Sequence, residues 1–197
     1  MSAPATSDPQ NPVLGFLLSR RSRPARTLTA PVPSRAELMV LLTAAARVPD
    51  HGKLEPWRFI VLEKQALVRL ARLADDTGRR LGLDDDRRAK GVAQLADADL
   101  AVAVVKRAMP TDRIPETEQV LSAGAVCLTL LNAALAAGWG ACWLTGWHVS
   151  DPAFRRDALG LAQGEWVAGL IHIGTQTSVP PDRPRPDLDQ LVTWAER

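Results

Sequence analysis

The chain has 197 residues, 46% of them apolar and 23% charged, and its 24 basic and 22 acidic side chains leave a net charge of +2. That near-balance, despite a sequence pI near 8.8, argues against nucleic acid as a partner, and the length suffices for one domain with a substantial core. Cys127 and Cys142 lie in apolar surroundings without metal-like spacing. They read as small buried hydrophobes, and with no disulfide framework the expected compartment is the reducing cytoplasm.

Residues 1–11 are rich in Ser, Pro and Ala and lack a basic segment followed by an apolar one. They read as a disordered tail rather than a signal peptide, which leaves 12–197 as a single domain. Pro12 to Arg20 reads as a short helix with Val13, Phe16 and Leu17 on one face. Ser34 and Glu37 fit a capping box. The helix that follows carries Leu38, Leu41, Leu42 and Ala45 on one face and is stopped by Pro49. Phe59 to Leu62 predicts a strand buried on both faces. Gln65 to Leu81 predicts a helix with Leu67, Leu70, Ala71 and Ala74 inward, and Asp84 to Lys90 a solvated loop or helix face.

Leu100 to Val105 reads as a second strand and Met109 to Pro115 as a loop. Glu116 to Ala137 predicts a helix about 33 Å long, capped by Gly138. Its apolar part, Leu121 to Ala137, is slightly short for a membrane span and contains Ser122, Thr129 and Asn132, so a buried helix is expected. Ala, Gly and Leu around its circumference call for burial on all sides, which a symmetric dimer supplies readily. Trp139 to Leu144 reads as a strand, Pro152 to Leu159 as a helix capped by Asp151, and Trp166 to Ile173 as a strand broken by Gly169 and closed by Gly174. Leu188 to Trp194 is a last short element. The element order predicts an α+β or α/β layered domain, helices packing on a small sheet.

The chain lacks the groups for difficult chemistry of its own. No G-x-S-x-G elbow, H-E-x-x-H, C-x-x-C or Walker loop occurs. Gly138-Trp139-Gly140 continues as Ala-Cys-Trp rather than as a dinucleotide fingerprint. Metal ligands at workable spacing are missing. His172 falls inside a strand and reads as structural; His148 follows Trp147 in a loop with no nucleophile nearby. An enzyme of this composition borrows a cofactor. Arg20, Arg21 and Ser22 place two guanidinium forks and a hydroxyl at adjacent positions, as a phosphate requires. Arg183 and Arg185 form a second cationic pair. Arg47, His51 and Lys53 are candidates for the positive group that a flavin needs near its pyrimidine edge, and the backbone at Thr145-Gly146 permits close approach.

Arg20-Arg21-Ser22, then Val48-Pro49-Asp50-His51-Gly52-Lys53-Leu54-Glu55-Pro56-Trp57, then Gly138 to Gly146 and Gly169 to Thr175, taken in that order, resemble the nitroreductase family. The likeness is to a short bacterial branch with Pro-Asp-His in place of Pro-Ser-x-x-Asn, and it spans residues 13–194. The resemblance implies an α+β fold with a mainly antiparallel sheet, a homodimer with the long helix at its interface, and FMN bound between the subunits. It implies ping-pong hydride transfer through flavin N5 from NAD(P)H to a nitroaromatic, a quinone or another small acceptor. By the family's pattern, Arg20, Arg21 and Ser22 match phosphate and ribityl contacts, Arg47 and His51 match flavin-contacting positions around the Pro-Asp-His segment, Leu144, Thr145 and Gly146 match a later flavin loop, and residues 134–139 match a nicotinamide region. Lys53, for the flavin, and Arg185, for the phosphate, are candidates by their charge alone. The chain departs from the pattern at Glu55, where many members carry Gln, and at Leu144, where close relatives carry Arg. Glu55 is expected to pair with a cation or cap backbone. The alternatives are an FMN-binding carrier or sensor without turnover and a cofactor-free structural dimer.

Overall fold

The structure is a computed structural model that describes residues 11–195. Those residues form five strands and seven α-helices. The strands are β1 (Leu28–Thr29), β2 (Trp57–Glu63), β3 (Leu100–Lys106), β4 (Gly140–Leu144) and β5 (Trp166–Gln176). The helices are α1 (Pro12–Ser19), α2 (Arg35–Ala45), α3 (Lys64–Arg80), α4 (Asp85–Ala96), α5 (Glu116–Ala136), α6 (Trp147–Ser150) and α7 (Pro152–Leu159). The tail assigned to residues 1–11 lies outside the described residues except for Asn11. That residue caps α1, its Oδ1 accepting from the backbone N–H of Val13 at 2.9 Å and of Leu14 at 3.2 Å.

The sheet runs β1-β5-β3-β2, with β4 also on β5, and every pairing is antiparallel. β5 is therefore its axis, and β3, with every residue buried, is its densest strand. The sheet separates two apolar cores. On one side Leu38, Leu41 and Leu42 of α2 and Val126, Leu130 and Ala134 of α5 pack on Val102, Val104, Ile171 and Ile173. On the other, Leu67 and Leu70 of α3, Leu95 of α4 and Phe154 of α7 pack on Ala101, Ala103, Val105 and Leu170. Successive residues of β3 and β5 thus alternate between the cores, as the two-residue period of a strand requires.

The capping box forms as expected: Ser34 Oγ accepts from the Glu37 N–H at 3.3 Å, and the Glu37 carboxylate accepts from the Ser34 N–H at 2.8 Å. The charged stretch at Asp84 opens α4, with the Asp84 side chain capping Arg87 N–H at 2.8 Å. Three expectations need correction. β2 is an edge strand with Val61 exposed, not a strand buried on both faces; a short apolar run reads alike in either setting. β5 is not broken at Gly169 or closed at Gly174 but runs on to Gln176. A register shift opposite Val104 and Val105 absorbs the extra residue Ala168. Last, α1 buries none of its side chains, and Val13, Leu17 and Leu18 stand exposed.

α5 is long and apolar enough by length and composition alone to cross a membrane. Here eight of its residues, from Gln119 to Ala134, are buried on one face. Leu121 and Leu128 on the opposite face are exposed. One chain therefore covers only one side of a helix that is apolar all round.

Candidate functional site

The loop after α1 gathers cations. Arg20 Nη2 donates to Ser22 Oγ at 3.1 Å. Arg21 pairs with Asp182 at 3.2 Å, and the same carboxylate oxygen accepts from Arg185 at 3.1 Å. Residues more than 160 positions apart in sequence are thus drawn to one place. Arg23, which sequence reasoning passed over, completes the group: its side chain donates to the side-chain amide oxygen Oε1 of Gln176 and, at 3.2 Å, to the Arg21 backbone carbonyl. Its backbone N–H donates to Ala141 O at 2.8 Å, which ties the loop to β4.

The cluster is electrostatically unsatisfied. Burial, and then the positive charges of Arg185, Arg21 and Arg23, push the Arg20 pKa below its ordinary value. Arg20 Nε is buried and has no hydrogen-bond partner among the described residues. Among the described residues one acidic side chain, Asp182, is within bonding reach; it is held by Arg21 and Arg185 and is largely exposed. A buried guanidinium N–H without an acceptor, beside like charges, is a site that favours an anion. Of the two C-terminal arginines, Arg185 meets the cluster through its side chain. Arg183 donates only its backbone N–H, to Asp182 at 2.9 Å.

The Pro-Asp-His segment forms a second, separate feature. The Asp50 carboxylate accepts from the N–H groups of Leu54 at 3.2 Å and Glu55 at 2.8 Å, closing the loop on itself. The backbone is left-handed at Gly52, Lys53 and Glu55, with φ of 70°, 56° and 48°. For Lys53 and Glu55 that conformation is strained, and strain held by surrounding bonds is common at binding sites. Trp57 Nε1 donates to Ser122 Oγ at 3.1 Å, and Ser122 Oγ donates to Pro49 O at 2.8 Å, so both ends of the loop are moored to α5. His51 Nδ1 lies 2.7 Å from Glu118 Oε2, again on α5. Arg47, His51 and Lys53 are exposed. Neither role expected of Glu55 is seen: among the described residues its carboxylate makes no hydrogen bond or ion pair, and its own N–H is capped by Asp50.

Leu144, Thr145 and Gly146 link the end of β4 to α6. Gly146 is required there by close approach, since a Cβ would stand 2.5 Å from His148 Cε1. β4 thus leads from the Arg23 anchor at Ala141 to this loop. Residues 134–139 form the end of α5 and the turn beyond it, with Gly138 at φ 88° as the expected cap. No hydrogen bond or ion pair among the described residues joins the Asp50 loop to the arginine cluster. The structure brings together Arg20, Arg21, Ser22 and Arg185, and links none of Arg47, His51 and Lys53 to them by a hydrogen bond or ion pair among the described residues. A groove of about 820 Å³ between α2, β2 and α3 contains none of the predicted site residues.

The chain is similar in sequence and in fold to known proteins. The "Putative NAD(P)H nitroreductase YdjA" of Escherichia coli is 30% identical over 182 residues, 92% of this chain and 98% of that one. A nitroreductase-like family protein from Bacillus cereus superposes with a TM-score of 0.77 at 21% identity, over 100% of this chain and 99% of the other. A nitroreductase from Bacteroides fragilis, solved with bound FMN, gives a TM-score of 0.72 at 19% identity, over 94% and 100%. The family profile described as "Nitroreductase family" matches residues 17–175, from the helix before the arginine cluster to the end of the strand that carries His172. A profile that matches most of the chain and a relative that is 30% identical over 92% of it agree, and the chain belongs to the nitroreductase family.

Proposed function

We propose that this chain is an FMN-dependent oxidoreductase that uses NAD(P)H to reduce nitroaromatic, quinone or related acceptors, working as a homodimer in the cytoplasm. The observation that carries the reading is the unsatisfied Arg20 guanidinium among Arg21, Arg23 and Arg185. A cofactor phosphate is the anion it suits. Arg20, Arg21 and Arg185 would neutralise that phosphate, and Ser22 would offer its hydroxyl. Arg23 fixes the cluster to β4, and β4 runs on to Leu144, Thr145 and Gly146, whose backbone would meet the flavin ring. When bound, FMN supplies the two-electron chemistry, accepting hydride from NAD(P)H and passing it to the acceptor.

The Asp50 loop enters through the second copy. Within one chain it is separate from the arginine cluster, yet its own bonds and its moorings to α5 hold it in a strained shape. The open face of α5, with Leu121 and Leu128, and the uncovered α1 are apolar surfaces suited to a symmetric partner. We infer that dimerisation along α5 carries Arg47, His51 and Lys53 of one copy to the flavin held by the other. There a positive group would favour the charge that reduction places on the pyrimidine edge. Residues 134–139, at the end of α5, remain the assignment for the nicotinamide.

The test is an absorption spectrum of protein incubated with FMN, desalted, and given NADPH or NADH without oxygen. A retained flavin band that bleaches promptly supports the oxidoreductase. A retained band that neither nucleotide bleaches favours an FMN carrier or sensor. A colourless protein overturns the flavin reading.

A further inference from the structure

Polar side chains in the first two turns of α5 each hold a neighbouring segment. Glu116 pairs with Lys106 at the end of β3. Glu118 Oε2 lies 2.7 Å from His51 Nδ1. Gln119 Nε2 donates to Met109 O at 3.1 Å and to Ile114 O at 3.3 Å, which closes the loop before the helix. Ser122 Oγ donates to Pro49 O and accepts from Trp57 Nε1. Glu118 and Ser122 are four positions apart and so share one face of the helix. Ser122 holds the two ends of the Pro-Asp-His loop, and Glu118 holds its middle.

The Glu118–His51 contact differs from an ordinary surface ion pair. The His51 and Glu118 side chains are 63% and 47% exposed, and a free pair of that kind adds little stability because both side chains must be ordered to make it. Here the backbone is already ordered. Asp50 caps the N–H groups of Leu54 and Glu55. Ile114 Cδ1 packs where Gly52 has no side chain, since a Cβ there would stand 2.8 Å from it. The loop that carries the imidazole is therefore held by other bonds, and what is left for Glu118 to fix is the ring. An ionised carboxylate only accepts, so Nδ1 must carry a hydrogen. Nδ1 faces Glu118, and Nε2, across the ring, points away from that carboxylate. Whether the ring is neutral or charged, Nδ1 keeps its hydrogen and Nε2 alone gains or loses one.

We propose that Glu118 is a positioning residue: it fixes the His51 ring with Nδ1–H on α5 and presents Nε2 to the flavin held by the second copy. The flavin half rests on the FMN and dimer reading given above. Nε2 is then the nitrogen that meets the pyrimidine edge, and with its proton the ring is the positive group that edge requires. Glu118 acts only through the ring.

The orientation is tested on the full-length wild-type protein by 15N NMR of the imidazoles, with His51 assigned through His51→Asn and its shifts followed to the high-pH limit of a neutral ring. The expected result is the Nδ1–H form for His51, and a change in Glu118→Leu to the Nε2–H form that a free imidazole prefers. Glu118→Gln, whose amide oxygen can accept the same bond, is expected to keep the wild-type form. A wild-type ring in the Nε2–H form, or one that Glu118→Leu leaves unchanged, overturns the orientation. The flavin half is read from FMN titrations and from the visible circular dichroism of the bound flavin. Glu118→Leu and His51→Ala are each expected to weaken FMN binding about fivefold, and Glu118→Gln by about twofold at most. The two changes together are expected to weaken it no more than His51→Ala alone. A Glu118→Leu effect that persists in full on top of His51→Ala overturns the positioning role, because the carboxylate then acts by another route. So do affinity and dichroism unchanged in both single variants. If wild type binds no FMN, the functional reading and the flavin half fall together, while the NMR result still decides the orientation.

Discussion

The indole of Trp147 fills a notch that Gly91 leaves in α4: a Cβ at Gly91 would stand 2.4 Å from the indole Nε1. The same Nε1 donates to Arg87 O at 3.3 Å, and Gly78 of α3 borders the other side of the ring. The helical pair α3–α4 is thereby keyed to α6 and the loop before it. Gly91→Ala would improve helix propensity by roughly 1 kcal/mol but force the indole or the helix to move, at a cost of about 1–3 kcal/mol. The expected net result is a lower urea midpoint, with α3–α4 amides losing hydrogen-exchange protection. A midpoint above wild type would show that the notch is not tight.

Acid should weaken the fold through His148 and His172. Both have folded pKa values lowered to about 4 by burial, from an ordinary value near 6.5. Between those values the unfolded chain binds protons that the folded chain refuses, so stability is full above about pH 7 and falls as pH drops from about 6.5 towards 4. Two such groups give a slope of up to about 2.7 kcal/mol per pH unit. Urea titrations from pH 8 to 4 should show this slope, roughly halved in His172→Phe. A flat profile would mean that the rings accept protons in the folded state.

Asp50 should set the shape of the Pro-Asp-His loop. Asp50→Ala removes the acceptor for two backbone N–H groups and is expected to cost about 1–2 kcal/mol, with Asp50→Asn recovering most of it. Glu55→Gly, at φ 48°, relieves left-handed strain and is expected to gain up to about 1 kcal/mol. Thermal unfolding of the three variants checks both directions. A loss of stability in Glu55→Gly would show that the carboxylate makes a contact worth more than the strain.

The phosphate assignment predicts that Arg20→Ala weakens FMN binding by about 1–3 kcal/mol, through lost charge-assisted hydrogen bonds, and that Ser22→Ala weakens it by less. Fluorescence titration with FMN gives the affinities. If Arg20→Ala leaves the affinity unchanged, the cluster is not the phosphate site.

The shared-site reading predicts that Leu128→Glu, on the open face of α5, yields a monomer that retains no flavin. Sedimentation and the absorption of the same sample report on both. A soluble monomer that keeps FMN would place the whole site within one chain.

Helix caps and inward faces were legible because their signals are local. Ser34 and Glu37 sit three apart, Asp151 precedes Pro152, and the Leu38 and Leu67 faces follow the helical period. Arg20, Arg21, Ser22 and Arg185 could be named from donor chemistry alone, although only the fold shows Arg185 meeting Arg20. What stayed hidden depends on contacts between distant segments. Nothing local to Gly91 signals an indole against it, and nothing local to Arg23 distinguishes it from any loop cation, since its N–H is anchored on the distant Ala141. β2 reads as buried on both faces because its apolar run does not reveal how many neighbours it has.

β4 acts as a ruler. One end is pinned to the arginine loop through Ala141, the other opens into Leu144–Gly146, and all five of its residues are registered against β5. The spacing between an anion at one end and a ring at the other is therefore set by a count of residues rather than by a flexible arm. Deleting one residue of β4 would shorten that spacing by about 3.3 Å and turn every later side chain of the strand to the opposite core. The span across β4 is thus far less free to vary in length than an exposed loop would be.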